Sequence, residues 1–196
     1  PLILDLDGDG VRTVGVSAGV QFDLLATGQA TNVGWVSAQD GLLAMDLNGD
    51  GLINDGGELF GVATTLADGS RAKDGYEALA AQDTNGDGTI DATDASYAQL
   101  RVWQDANLDG VSQANELHSL QDIGITSLDL DAQKTSVLDQ GNWIGLEATY
   151  ATSDGQTHAM ADVWLQISQA VAPSQQLDLS AVSSLAAISQ AAAGTI

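Results

Sequence analysis

The feature that most limits how this chain can fold is an acidic, glycine-bearing pattern that returns four times. It reads DLDGDG at 5–10, DLNGDGLINDGGE at 46–58, DTNGDGTIDATD at 83–94 and DANLDGVSQANE at 105–116. These stretches hold 14 of the 27 acidic residues. A solvated charged face spaces its acids irregularly or at helical intervals and has no need of glycine at a fixed sixth place. A ligand loop does, because side chains at alternate positions of a tight turn converge on one point.

Segments 83–94 and 105–116 fit the twelve-residue calcium loop without a gap. In the former, Asp83, Asn85 and Asp87 take places one, three and five, Gly88 the turn at six, and Thr89 offers its carbonyl at seven. Asp91 stands at nine, Ile90 anchors the loop, and Asp94 closes it. The latter supplies Asp105, Asn107, Asp109, Gly110, Val111 through its carbonyl, Gln113 and Glu116 at the same places. Segment 46–58 starts alike with Asp46, Asn48, Asp50, Gly51 and Leu52, but place twelve is Gly57 and Glu58 comes one residue late. A loop lengthened by one residue brings Glu58 in, with Asn54 or Asp55 helping. Segment 5–10 offers Asp5, Asp7 and Asp9, while its twelfth place is Val16. It reads either as an Asp-rich turn or as a half-site completed by a distant acid such as Asp23 or Asp40.

Calcium is the ion this donor set selects, with two sites expected at the tandem loops and up to four in all, because calcium takes six to eight oxygens at loose geometry. The chain has no cysteine, and His118 and His158 are its only imidazoles. Thiolate and zinc centres are therefore excluded, and both histidines read as ordinary surface or core residues. The 27 acids face 5 basic residues for a net charge of −22, yet 44% of residues are hydrophobic. Such a chain buries a core and is no disordered acidic tail. Lys73, Lys134, Arg12, Arg71 and Arg101 are too few and too scattered for nucleic acid or an anionic membrane surface. No run of 18 apolar residues offers a membrane span.

Apolar residues at helical spacing flank the tandem loops: Tyr76, Leu79 and Ala80 before them, Tyr97, Leu100 and Trp103 between, Leu117 and Leu120 after. This spacing predicts a helix–loop–helix–loop–helix unit of EF-hand or dockerin type within 73–121. The rest reads as short β-runs at 2–4, 11–16, 20–24, 125–130, 143–151 and 157–167, the last two joined as a hairpin across Ser153, Asp154 and Gly155. The expected class is therefore α+β, with the calcium unit packed against short antiparallel strands and hairpins over 1–168. Residues 169–196, rich in Ala, Ser and Gln, read as a linker with one tail helix.

In order, PLILDLDGDGVRTV, GWVSAQDGLLAMDLNGDGLINDGGELFG, GYEALAAQDTNGDGTID, LRVWQDANLDGVSQANEL and ADVWL resemble the calcium-dependent self-processing module of FrpC-like RTX proteins of Gram-negative bacteria. The likeness covers roughly residues 1 to 167. The family's further acidic loop after the second strand has FDLLATGQ here (22–29), so a calcium site there is expected to be lost. The resemblance implies calcium-triggered cleavage of an Asp-Pro bond at the module's N-terminal edge, which makes Pro1 the residue following the scissile bond and places the attacking aspartate before it. A chain that begins with Pro1 in place of Met reads as a fragment or a processed product.

The resemblance also implies type I secretion, folding outside the cell at higher calcium, a larger parent RTX protein as partner, and a lysine-bearing protein as a second acceptor in isopeptide crosslinking. Chemically, an aspartate that attacks its own backbone carbonyl closes a five-membered cyclic anhydride, and no external nucleophile is needed. Proline suits the leaving position, since its tertiary amide twists out of conjugation more easily. Two readings follow: a single-turnover self-processing module, or a non-catalytic calcium-stabilised module of a secreted adhesin or toxin. A cohesin-binding dockerin is disfavoured, because the tandem loops are not near-duplicates.

Overall fold

A computed structural model describes residues 1–168; the expected tail helix within 169–196 lies outside the described residues. In chain order the elements are β1 (Leu2–Leu4), β2 (Thr13–Val14), β3 (Gln21–Phe22), β4 (Thr31–Asn32), β5 (Trp35–Val36) and β6 (Gly41–Met45). Then come α1 (Gly75–Ala80), β7 (Thr89–Asp91), β8 (Leu100–Trp103), β9 (Leu117–Ser119), β10 (Ile125–Asp129), β11 (Gln133–Asp139), β12 (Asn142–Thr152) and β13 (Thr157–Trp164).

Nine strands form one antiparallel sheet in the order β7-β10-β12-β13-β1-β6-β8-β9, with β11 also pairing with β12. The strand β1 sits in the middle: Leu2 faces Asp162 of β13 and Ile3 faces Leu42 of β6. Residues from the two ends of the described chain thus meet in the sheet's interior. Both faces are covered, which is why β1 and β6 are buried throughout and read as unbroken apolar runs. One face carries Leu2, Leu4, Leu43, Val102 and Met160 beneath α1. The other carries Ile3, Leu42, Trp103, Ala161 and Val163 beneath the two-stranded pairs β2-β5 and β3-β4.

The expected helix–loop–helix unit is not what forms; the ordered elements of the described residues are nearly all β, and the α+β assignment is corrected accordingly. Residues 75–80 do form α1, capped by Asp74, whose carboxylate accepts the Glu77 N–H at 2.7 Å. Between the tandem loops, however, there is only a 3-10 turn at Tyr97–Gln99, followed by β8. After them Leu117 lies on β9, paired to Trp103. The physical reason is two-sided burial. Leu100 and Val102 enter one core while Trp103 enters the other, and only a strand sends neighbouring side chains to opposite faces. A step of three from Tyr97 to Leu100 to Trp103 matches a helix by count but crosses the sheet. The hairpin across residues 153–155 is present, with β12 and β13 paired from Ala151–Thr157 to Trp143–Trp164 and a register shift between Ile144 and Leu146.

Candidate functional site: acidic loops around a buried sheet end

The acidic segments share one backbone. Places four and six have positive φ in each: Gly8 and Gly10 (87° and 92°), Gly49 and Gly51 (77° and 83°), Gly86 and Gly88 (74° and 87°), Leu108 and Gly110 (59° and 70°). The aspartate at place one accepts the N–H groups this turn points inward. Asp5 takes those of Gly8 and Gly10 at 2.7 and 2.9 Å, and Asp46 those of Gly49 and Gly51 at the same lengths. Asp83 accepts from Gly86 and Gly88, and Asp105 from Asp109 and Gly110. At place five, Asp50, Asp87 and Asp109 accept the N–H of Leu52, Thr89 and Val111, each at 2.8 to 2.9 Å. Asn48, Asn85 and Asn107 at place three accept the N–H of place five. At Asp46 and Asp87 such bonds favour the ionised acid. The Gly51 N–H, among others, holds Asp46 below the ordinary carboxylate range, as the Thr89 hydroxyl does for Asp87.

Segment 23–28 adopts the same turn without the acids. Ala26 and Gly28 have φ of 52° and 83°, and Asp23 accepts from Thr27 and Gly28. Leu25 and Thr27 occupy places three and five, so this loop keeps its shape but lacks the converging donors.

Each acidic loop is closed by one further carboxylate. Asp94 accepts the N–H of Thr84 (place two) at 2.7 Å and of Asp91 (place nine) at 3.1 Å. The Asp91 N–H is the leading cause of the lowered pKa of Asp94. Glu58 does the same from one residue later, taking Leu47 N–H at 3.1 Å and Asn54 N–H at 2.8 Å. Asp55 instead accepts the Gly57 N–H. Glu116 accepts the Gln113 N–H. For segment 5–10, the closing acid is Asp40 and not Asp23: it accepts Leu6 N–H at 3.3 Å and Arg12 N–H at 2.7 Å. Asp40 is 1% exposed, and burial, opposed by those bonds and that of Ser37, pushes its carboxyl up to about 6. Carboxylate oxygens of Asp5, Asp7 and Asp9 lie within 4.8 Å of one another, the one such group among the described residues. Elsewhere asparagine stands at place three, with Asn85 and Asn107 donating an amide N–H to Asp87 and Asp109. Asp91 is turned to the N–H and hydroxyl of Thr93, and the Gln113 amide donates to Asp109.

Segment 105–116 is wired into the core. Asp105 is fully buried and accepts from the Trp35 indole N–H at 2.9 Å; Glu116 accepts from the Trp103 indole N–H at 3.3 Å. The two indoles meet edge to face at 5.4 Å, with Phe22 against both.

Pro1 lies at the head of β1, in the middle of the sheet. Its carbonyl accepts the Val163 N–H at 3.0 Å, and the next N–H, of Leu2, reaches Phe60 O at 2.8 Å. Its nitrogen stands 3.2 Å from Asp162 Oδ1, and Asp162 is 2% exposed. The other Asp162 oxygen accepts the Gly75 N–H at the start of α1, at 2.8 Å. A cavity of about 140 Å3 opens beside Pro1, lined chiefly by apolar groups such as Leu24, Leu59, Ala63 and Leu165.

Residues 2–166 match the family model described as SPM domain. The chain belongs to the SPM domain family. It is also 54% identical over 170 residues to the iron-regulated protein FrpA of Neisseria meningitidis serogroup C, an alignment that takes in 84% of this chain and 15% of that protein. This SPM domain therefore spans a small part of the length of its relative. The part of the SPM domain that sequence reasoning missed is Asp162, read only as a strand position. The available signal was an acid inside the apolar run Met160-Ala161-Asp162-Val163-Trp164, where a charge has to find a partner.

Proposed function

We propose that the chain is a calcium-folded module of a secreted RTX-type protein, and that it cleaves the Asp-Pro bond ending at Pro1 in a single turnover. The observation that carries the calcium part is the shared geometry of the four loops. Each gathers an aspartate at place one, further oxygen donors at three and five, and a closing carboxylate against place two, place nine or both. The donors fit a hard cation: they are oxygens throughout, and three carboxylates of the first loop converge within 4.8 Å. Asp5, Asp7, Asp9 and Asp40 would hold one ion, and Asp46, Asn48, Asp50 and Glu58 a second, with the Leu52 carbonyl. The Asp83–Asp94 and Asp105–Glu116 sets would hold two more, with the Thr89 and Val111 carbonyls. Bound calcium supplies positive charge among crowded acids and so stabilises the folded loops.

The cleavage part rests on the family resemblance and on the seat of Pro1. The sheet fixes the proline on its carbonyl side, and a small, mostly apolar cavity opens beside it. There the preceding aspartate can attack its own carbonyl to give the cyclic anhydride, which water or a lysine amine then opens. Lys73, ion-paired with Glu77 at 2.7 Å, and the exposed Lys134 are the chain's own lysines, so a lysine on the parent or another protein widens a short set of acceptors. Membership in a family whose relative is far longer supports a parent protein as partner, outside a Gram-negative cell. Among the described residues no helix is long and apolar enough to cross a membrane.

The test is a chain with aspartate joined to Pro1, purified with chelator and then given millimolar calcium. Release of the preceding segment, with Pro1 as the new N-terminus by mass spectrometry, is the expected result. A chain that folds with calcium yet stays intact would leave the non-catalytic structural reading in its place.

A further inference from the structure

We propose that Asp162 is the acid that protonates the proline nitrogen as the bond before Pro1 breaks. This inference rests on the processing reading above and assigns a catalytic residue to it.

The geometry is specific. Asp162 Oδ1 lies 3.2 Å from the Pro1 nitrogen, while Oδ2 is held by the Gly75 N–H at 2.8 Å, so the carboxyl is oriented with one oxygen aimed at the leaving atom. Both partners are fixed. The Pro1 carbonyl is tied to β13 through Val163, the strand that carries Asp162 itself. Close backbone approach on two sides leaves little play. A Cβ on Gly61 would stand 3.1 Å from Pro1 Cα and 3.3 Å from its nitrogen, and one on Gly75 would stand 3.0 Å from Asp162 Oδ1. Asp162 pairs with no lysine or arginine among the described residues. While the proline nitrogen is part of an amide, the acid faces no cation, and a buried carboxylate held by a single N–H is costly. Cleavage supplies that partner.

A carboxylate oxygen of the preceding aspartate bonds to that residue's own backbone carbonyl carbon, closing the anhydride ring. The bond from that carbon to the Pro1 nitrogen breaks, its electron pair going to nitrogen. The proton on Asp162 Oδ1 passes to that nitrogen, which leaves a secondary amine and the Asp162 carboxylate. The amine takes a further proton from water and pairs with Asp162, and a second water opens the anhydride. General acid assistance matters here because an amide nitrogen expelled without a proton is a very poor leaving group.

The experiment uses the chain with aspartate before Pro1, comparing the unsubstituted protein with D162N. After calcium addition, cleavage is followed on gels and folding by near-ultraviolet circular dichroism. Asparagine keeps an acceptor for the Gly75 N–H but has no proton of this kind to give. The expected result is a D162N protein with the calcium-bound aromatic signal whose cleavage is slower by about 100-fold or more. Equal cleavage rates overturn the role of Asp162 while leaving the processing reading intact. An unsubstituted chain that never cleaves fails both together. Should D162N not fold with calcium, the unsubstituted chain decides through deuterium oxide. Ring closure by a carboxylate moves no other proton, so slower cleavage in deuterium oxide supports the donor and equal rates overturn it.

Discussion

At the scale of single residues, Asp40 shows how a carboxylate far away in sequence completes a local loop. It is 34 residues from Leu6 and 28 from Arg12, yet its two oxygens take the N–H groups of both. Burial raises its carboxyl from 3.8 to about 6. A raised folded-state value means that the protonated form is favoured by folding. Asp40's contribution to stability is therefore full below about pH 4 and lost as pH rises through about 6. A cation among Asp5, Asp7 and Asp9 reverses this by favouring the charged form. In the calcium-saturated protein, the carboxyl carbon of Asp40 is accordingly expected to titrate well below 6 by NMR; a midpoint that stays near 6 removes Asp40 from the ligand set. The sequence named Asp40 only alongside Asp23, because nothing local tells which distant acid returns to Leu6. Asp162 was harder still, since its partner is at the far end of the described chain and the pairing exists only once β1 and β13 meet.

At the scale of elements, the loops were legible and their flanks were not. Loop geometry depends on near neighbours, with glycine at place six and acids at alternate places, so DxNGDG spells out its own turn. Even the extra residue before Glu58 is absorbed, because the longer glutamate side chain still reaches Leu47 and Asn54. What the loops join depends on the rest of the molecule. Tyr97, Leu100 and Trp103 satisfy a helical step, but β6 on one side and β9 on the other capture residues 100–103 as a strand.

The loops also differ in how tightly they are built in. A Cβ on Gly88 would meet nothing within 4 Å, whereas one on Gly110 would lie 2.6 Å from Gln21 O. Both positions have positive φ. Gly88→Ala is therefore expected to cost about 1 kcal/mol from backbone conformation alone. Gly110→Ala is expected to cost clearly more, because the Gln21 backbone must move as well. Thermal unfolding in saturating calcium measures both, and equal melting points for the two variants would contradict this ranking.

At the scale of the whole molecule, a net charge of −22 coexists with a sheet covered on both faces. Four divalent ions would leave the protein strongly negative, so their role would be local: they would relieve crowding where the carboxylates converge and leave most of the surface charge in place. The consequence spreads because the loops connect elements of the sheet. Residues 5–10 follow β1, 46–58 follow β6, 83–94 contain β7, and 105–116 join β8 to β9. The last is bonded through Asp105 and Glu116 to Trp35 and Trp103. A sheet whose central strand pairs with the far end of the described chain cannot form piecemeal, so loop ordering and the seating of Pro1 beside Asp162 are expected to come together. The most direct test is the near-ultraviolet circular dichroism of the Phe22–Trp35–Trp103 cluster as calcium is added to a chelated sample. A flat aromatic spectrum in chelator that becomes structured as calcium rises is the expected result. The same structured spectrum in chelator as in calcium would contradict it.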